Sequence, residues 1–235
     1  MLYKPAYAVV LDRDRARSLS LRHMFMVICG LSCEVYPDPE SFLEEQTGDH
    51  PPKVIILGDV DDRPRALRAV ASQHQSFVLV IERPGDALTV ENAFLAGADD
   101  VLRTPFTLRE LALRLRARIG MLESSDSEDL FLEASNWGEE AYIAERAGLT
   151  ESEAQILHVL ISNSGKIVSR DALSLAIDGR AWDYGDRKFD VHVAKIRKKL
   201  TSTFGDHISV QTVRSAGYIL SIDEVGHADL MNAIG

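Results

Sequence analysis

Short apolar runs punctuate the first half of the chain at Ala8–Leu11, Cys33–Tyr36, Val54–Leu57, 77–81 and 101–102, with amphipathic stretches between them. Runs of this length read as strands, and the stretches between them as helices. Each parallel crossover needs a helix, so the alternation predicts a doubly wound α/β domain over residues 1–120, with a five-stranded parallel sheet covered on both faces. Sites on such sheets lie at the carboxyl ends of the strands. A last helix over 111–119 closes the domain. The Ser- and acid-rich run 123–129 has no core-forming residues, which marks 121–129 as a linker.

A different pattern fills 130–225. The segments 130–134 and 140–146 are weakly strand-like, with Asn136 and Gly138 between them. Thr150 and Glu153 then form a capping box ahead of Ile156, Leu157, Leu160 and Ile161. A second helix starts after Ser169 and stops at Gly179, and a third covers about 187–200. Two strands, Ile208–Val213 and 218–222, are joined through Arg214, Ser215, Ala216 and Gly217. Three helices and a terminal hairpin predict an α+β winged helix-turn-helix. The tail 226–235 carries no readable pattern.

A length of 235 residues suits two such domains. The longest apolar runs are far too short to span a bilayer and no basic segment leads into an apolar one at the start, so a cytoplasmic protein is expected. Cys29 and Cys33 lack partners for a zinc site and read as buried free thiols. The seven histidines are scattered without ligand spacing, and no metal or cofactor is implied. No phosphate-cradling glycine loop or Ser/His/Asp nucleophile arrangement is present, so an enzyme is not expected.

A net charge of −10 argues against a nucleic-acid partner until its distribution is examined. Residues 1–148 hold 16 basic and 25 acidic side chains, whereas 149–225 hold ten of each. Within that second region Arg187, Lys188, Lys195, Arg197, Lys198 and Lys199 crowd the third helix. At about 100° per residue, Phe189, Val193, Ile196 and Leu200 share one arc and face a core. Arg187, Val191, Ala194, Lys195 and Lys198 lie opposite, with Arg197 and Lys199 on the flanks. Such a face offers cations to phosphates and guanine edges, and small apolar groups to thymine methyls. A solvated basic helix would carry the same cations; an outward Val191 among them weighs against that reading. Arg214 at the hairpin tip suits a narrow minor groove.

The run from Gly179-Arg180-Ala181-Trp182 through Arg187-Lys188-Phe189-Asp190-Val191-His192-Val193-Ala194-Lys195-Ile196-Arg197-Lys198-Lys199-Leu200, followed by Gln211-Thr212-Val213-Arg214-Ser215-Ala216-Gly217-Tyr218, resembles the effector domain of OmpR/PhoB-type response regulators. The resemblance implies a transcription regulator that binds double-stranded DNA. By it, Arg187, Val191, Lys195 and Lys198 read the major groove, Thr212 and Tyr218 touch backbone phosphate, and Arg214 reaches the minor groove; Arg197, on the flank, is a further expected DNA contact. It also implies that the loop 178–186 meets RNA polymerase. Ser215 departs from the glycine common in the family's wing turn.

The first domain is similar to the family's receiver, most clearly at Gly97-Ala98-Asp99-Asp100-Val101-Leu102-Arg103-Thr104-Pro105-Phe106. That resemblance implies two adjacent acids after the first strand, a phosphoaccepting Asp after the third, a hydroxyl after the fourth and a lysine before the proline. Here the acid pair reads Asp12-Arg13, and Gly58, Glu82 and Thr104 stand at the other positions, while the aromatic of the fifth strand is Val101. Glycine has no nucleophile, and a guanidinium opposes a divalent cation. A degenerate receiver that works without phosphorylation is therefore expected. Because 54–57 is apolar on both faces, a one-residue shift that turns Asp59 inward stays open. Phosphorylation at Asp59 or Asp12, or a small molecule or protein bound in the altered pocket, are the alternatives. Arg13 is expected to bridge Asp12 to Glu82 or Asp59.

For a homodimer, the fifth strand and last helix offer Asp99, Asp100 and Glu110 against Arg109, Arg114 and Arg118, again by resemblance. Ordinary exposed pairs would look the same, and Glu110 with Arg114 has the spacing of a helical pair within one chain.

Overall fold

The computed structural model describes residues 6–45, 51–73, 75–83, 85, 88–120 and 137–234. The expected linker 121–129 and strand 130–134 lie outside them. The chain divides into two compact units, Met1–Ser127 and Glu128–Gly235.

In the first unit β1 (Ala8–Leu11), β2 (Cys33–Tyr36), β3 (Val54–Leu57), β4 (Phe77–Glu82) and β5 (Asp100–Arg103) form one parallel sheet in the order β2-β1-β3-β4-β5. Helices α1 (Arg15–His23), α2 (Pro39–Glu45), α3 (Arg63–Gln73) and α4 (Val90–Leu95) make the crossovers, and α5 (Leu108–Ile119) follows the last strand. Both β1 and β3 are buried along their whole length, which is why they read as unbroken apolar runs. Their register pairs Leu11 with Leu57. Asp12 and Gly58 consequently lie side by side at the carboxyl end, where the Gly58 amide donates to Leu11 O at 2.9 Å. Asp14 caps the start of α1, and Thr107 and Gly120 cap the two ends of α5. A π-helical turn over Met24–Ile28 continues α1, and buries Met24, Phe25 and Ile28.

Among the described residues the second unit starts with α6 (Trp137–Arg146), a correction to the strand expected over 140–146. Its buried residues Trp137, Glu140, Ala141, Ile143 and Ala144 recur at helical spacing, and the apolar cluster 141–144 imitates a strand only when read without Trp137. The expected capping box holds: Thr150 and Glu153 exchange side-chain-to-amide bonds at the start of α7 (Glu151–Ser162). Ser169 caps α8 (Arg170–Asp178), and Gly179 ends it in the left-handed conformation. Helix α9 runs over Lys188–Phe204, one turn longer than its apolar stripe suggests. A short β6 (Ile167–Val168), β7 (Ile208–Val213) and β8 (Gly217–Ile222) form an antiparallel sheet ordered β6-β8-β7. The tail, unreadable in sequence, contains α10 (Glu224–Ile234), which buries Leu230 and packs against α6.

Candidate nucleic-acid interface and acidic pocket

On α9, Phe189, Val193, Ile196 and Leu200 are buried, while Val191, Ala194, Lys195 and Lys198, and Arg187 at the N-cap, are exposed. Val191, at 52% exposure, is an apolar side chain held outward among cations. The flanking cations are engaged inside the unit. Arg197 donates to Val210 O at 2.7 Å and to Thr212 Oγ1 at 2.9 Å, which ties the helix to β7. Lys199 donates to Gly148 O at 2.8 Å and to Glu153 Oε2 at 2.6 Å. Burial pushes the Glu153 carboxyl up, but Lys199 and the Thr150 amide outweigh it and hold it below its ordinary value.

Tyr218 is corrected from a phosphate contact to a core residue, because it is 1% exposed and its hydroxyl donates to Asp190. Arg170 completes the cluster, with Nη2 2.5 Å from Asp190 Oδ1 and its guanidinium 4.8 Å from the centre of the Tyr218 ring. These three side chains join α8, α9 and β8, and so fix the angle at which α9 is presented. Arg170, then Tyr218, holds the Asp190 carboxyl below its ordinary value. Burial, then the bond to Asp190, pushes the Tyr218 phenol up. The sequence reading missed this cluster, whose signal is one acid, Asp190, inside a basic helix.

Arg214 is exposed at the wing tip. Beside it Ser215 takes a φ of +59°, a left-handed conformation in place of the expected glycine. Gly217 is required by space as well as by its φ of +145°: a Cβ there would lie 2.0 Å from Val168 O, across the β6–β8 pairing. In the loop before α9, Trp182 Nε1 donates to Asp186 O at 3.1 Å and its ring lies 5.5 Å from that of Tyr184, which is 90% exposed.

At the carboxyl end of the parallel sheet the structure assigns partners differently from the sequence reading. Asp12 is buried, and its carboxylate accepts from Arg17 Nε at 2.6 Å and Nη2 at 2.8 Å, and from the amides of Asp14 and Asp59 at 2.9 and 3.0 Å. Arg13 does not bridge the pocket acids. It pairs instead with Asp61 on the surface, because it lies in the β1–α1 turn facing the β3–α3 turn, whereas Arg17 sits one turn into α1 and reaches back to Asp12. Gly58 is the position whose side chain would enter the pocket, since a Cβ there would meet the Asp12 carboxylate. The Asp59 carboxylate is half-exposed and pairs with Arg83 at 3.3 Å. Glu82 pairs with Arg103 at 2.6 Å across the register of β4 and β5. Thr104, followed by a cis peptide to Pro105, donates from its amide to Glu82 O at 2.9 Å.

On the face made by α4, β5 and α5, Asp100 is buried and caps its own strand at the Val101 amide. Arg114 reaches Asp100 at 3.4 Å and Glu110 at 3.0 Å. Burial alone would lower the Arg114 value, and these two acids more than reverse that. Asp99 instead accepts from the Val78 amide at 2.7 Å, and Arg118 is exposed farther along α5. Phe94, Leu95 and Leu113 are large apolar side chains exposed on α4 and α5, which the sequence reading did not single out. Cys29 and Cys33 are free and buried, and burial raises both thiols to about 12. Among the described residues no helix is long and apolar enough to cross a membrane, and no group of three or more His, Cys, Asp or Glu is arranged to hold a metal ion.

Residues 144–220 match the family described as "Transcriptional regulatory protein, C terminal". The transcriptional regulatory protein CpxR of Escherichia coli (strain K12) is 30% identical, over 66% of this chain and 72% of that protein. The response regulator MprA of Mycobacterium ulcerans (strain Agy99) is 29% identical over 90% of this chain and 96% of its own length. Among solved structures, the Klebsiella pneumoniae RstA DNA-binding domain in complex with RstA box is 32% identical with a TM-score of 0.27, covering 31% of this chain and 72% of that one. With a five-stranded parallel receiver-like sheet followed by a winged helix whose basic helix faces outward, the chain belongs to the OmpR/PhoB family of response regulators and is a DNA-binding transcriptional regulator.

Proposed function

We propose that this regulator binds its operator as a dimer and does so without aspartyl phosphorylation. The observation that carries the reading is Gly58 at the end of β3, beside Asp12: the position directed into the acidic pocket holds no nucleophile. The half-exposed Asp59 is paired with Arg83, which supports a structural rather than a phosphoaccepting part for that carboxylate.

In the DNA complex Arg187, Lys195 and Lys198 neutralise phosphates or read guanine edges, Val191 and Ala194 meet thymine methyls, Thr212 lies along the backbone and Arg214 enters the minor groove. Arg197 and Tyr218 hold the scaffold. Association uses the α4–β5–α5 face, which carries the exposed Phe94 and Leu95 on α4, the exposed Leu113 on α5, and the Asp100–Arg114–Glu110 cluster. A twofold arrangement doubles the DNA contacts. Tyr184, on the loop before α9, is the residue offered to RNA polymerase.

The test combines operator binding with sedimentation, with and without acetyl phosphate or beryllofluoride. A dimer whose DNA affinity ignores both reagents is expected. An acyl phosphate on the wild-type chain that tightens DNA binding, or a monomer on the operator, overturns the reading.

A further inference from the structure

Receivers of this family imply a divalent cation at the carboxyl ends of β1 and β3, and the residues there do not fit one. Mg²⁺ asks for an octahedral set of oxygens and opposes a neighbouring cation. Asp12 is the buried carboxylate at this point, and four donors already occupy it: two from Arg17 and the amides of Asp14 and Asp59. Position 58 supplies no side-chain oxygen, and the acids around it, Asp59, Asp61 and Glu82, are paired with Arg83, Arg13 and Arg103.

We propose that Arg17 is the resident cation of this pocket, and that Gly58 is its steric counterpart. The forked pair from Arg17 clamps the Asp12 carboxylate over the end of β3. Asp14 positions the clamp, accepting from the Arg17 amide at 3.2 Å and from Nη1 at 3.0 Å. With Asp12 so held, a Cβ at position 58 would lie 2.1 Å from Oδ2 and 2.3 Å from Cγ. The φ of Gly58 is outside the left-handed region, so glycine is needed there for space and not for conformation. The obstructing atoms belong to a side chain that could turn away if Arg17 released it. The two positions are therefore coupled, and an acid placed at 58 alone would meet a clash with Asp12, with the Arg17 guanidinium still standing where a metal would bind.

This inference rests on the phosphorylation-independent reading and supplies its physical cause. The test is thermal melting of the full chain with and without 10 mM Mg²⁺, with Mn²⁺ binding followed by calorimetry. The wild-type melting temperature should not move with Mg²⁺. Gly58→Asp should lose about 5 °C or more and regain none of it with metal. Arg17→Ala should melt lower without metal and regain about 3 °C or more with it, and the double variant should bind Mn²⁺.

Arg17→Ala leaves a buried carboxylate unpaired and can fail to fold, so a second pair of variants tests the coupling separately. Gly58→Ala should be strongly destabilising in the wild type and nearly neutral in an Asp12→Ala background. Equal losses in both backgrounds, or a wild type stabilised by Mg²⁺, overturn the inference. An acyl phosphate on the wild type overturns the underlying reading instead.

Discussion

Lys198 on α9 and Arg187 at its N-cap are exposed without the intramolecular bonds to strand or helix that engage Arg197 and Lys199. Replacing either with Ala should weaken operator binding by about 1 to 3 kcal/mol where a base edge is read, and lower the salt slope by about 1 where a phosphate is neutralised. A binding series across salt concentrations separates the two, and an unchanged double variant would remove α9 from the interface. Arg197→Ala should behave differently, with a lower melting temperature accompanying any loss of DNA affinity. Asp190 gives a second prediction. Its carboxyl is held below the ordinary value by Arg170 and Tyr218, so its contribution is present above about pH 4 and is lost as pH falls through the lower folded value. Asp190→Ala should cost about 1 to 3 kcal/mol at neutral pH, and melting curves of the two proteins should converge in acid. Both faces of α9 were legible in sequence because helical period sorts them. The Asp190 cluster was not, because its other two members come from α8 and β8, and their meeting is a tertiary fact. Arg17 escaped notice for a similar reason: Arg13 occupies the family's acidic position, but chain direction at the β1–α1 turn sends it outward.

Helices α6 and α10 show where periodicity fails at the scale of elements. An apolar run of four, 141–144, fits a short strand as well as a helix, and only the burial of Glu140 and Trp137 settles its period. The strand β6 has two residues and leaves no pattern to find. By contrast β1 and β3 were legible to the residue, since burial on both faces leaves an unbroken aliphatic run, ended by Asp12 in β1 and begun after Lys53 in β3. At the start of α10, His207 Nδ1 lies 2.9 Å from Asp223 Oδ2, and Asp223 also accepts from the Gly226 amide at 2.7 Å. The bond to Asp223, and then its charge, raises the histidine value. Its contribution is therefore complete below about pH 6.5 and declines as pH rises through the higher folded value. The melting-temperature gap between wild type and His207→Ala should shrink between pH 6 and 8; a constant gap would assign the effect to packing. On α4, Leu95 at 86% exposure is the apolar side chain most open to a second copy. Leu95→Glu should yield a monomer by sedimentation with its melting temperature kept, and weaken operator binding at least about tenfold through loss of the second half-site.

Across the whole molecule, charge and chemistry are divided between the two units. The acidic excess belongs to residues 1–148, and the region 149–225 is balanced overall yet gathers six of its ten cations on or beside one helix. Net charge alone would have pointed away from DNA, whereas local charge within a screening length points toward it. The family model spans 144–220 and takes in neither most of α6 nor α10, which pack on each other across the flanks of that span. A fragment cut to those limits would lose most of α6 and all of α10, and so uncover the side of α7 against which α6 packs. Such a fragment should aggregate or bind hydrophobic dyes where 137–234 does not. For any attempt to isolate the DNA-reading half, its usable borders are set by a helical clasp that joins the two ends of the unit.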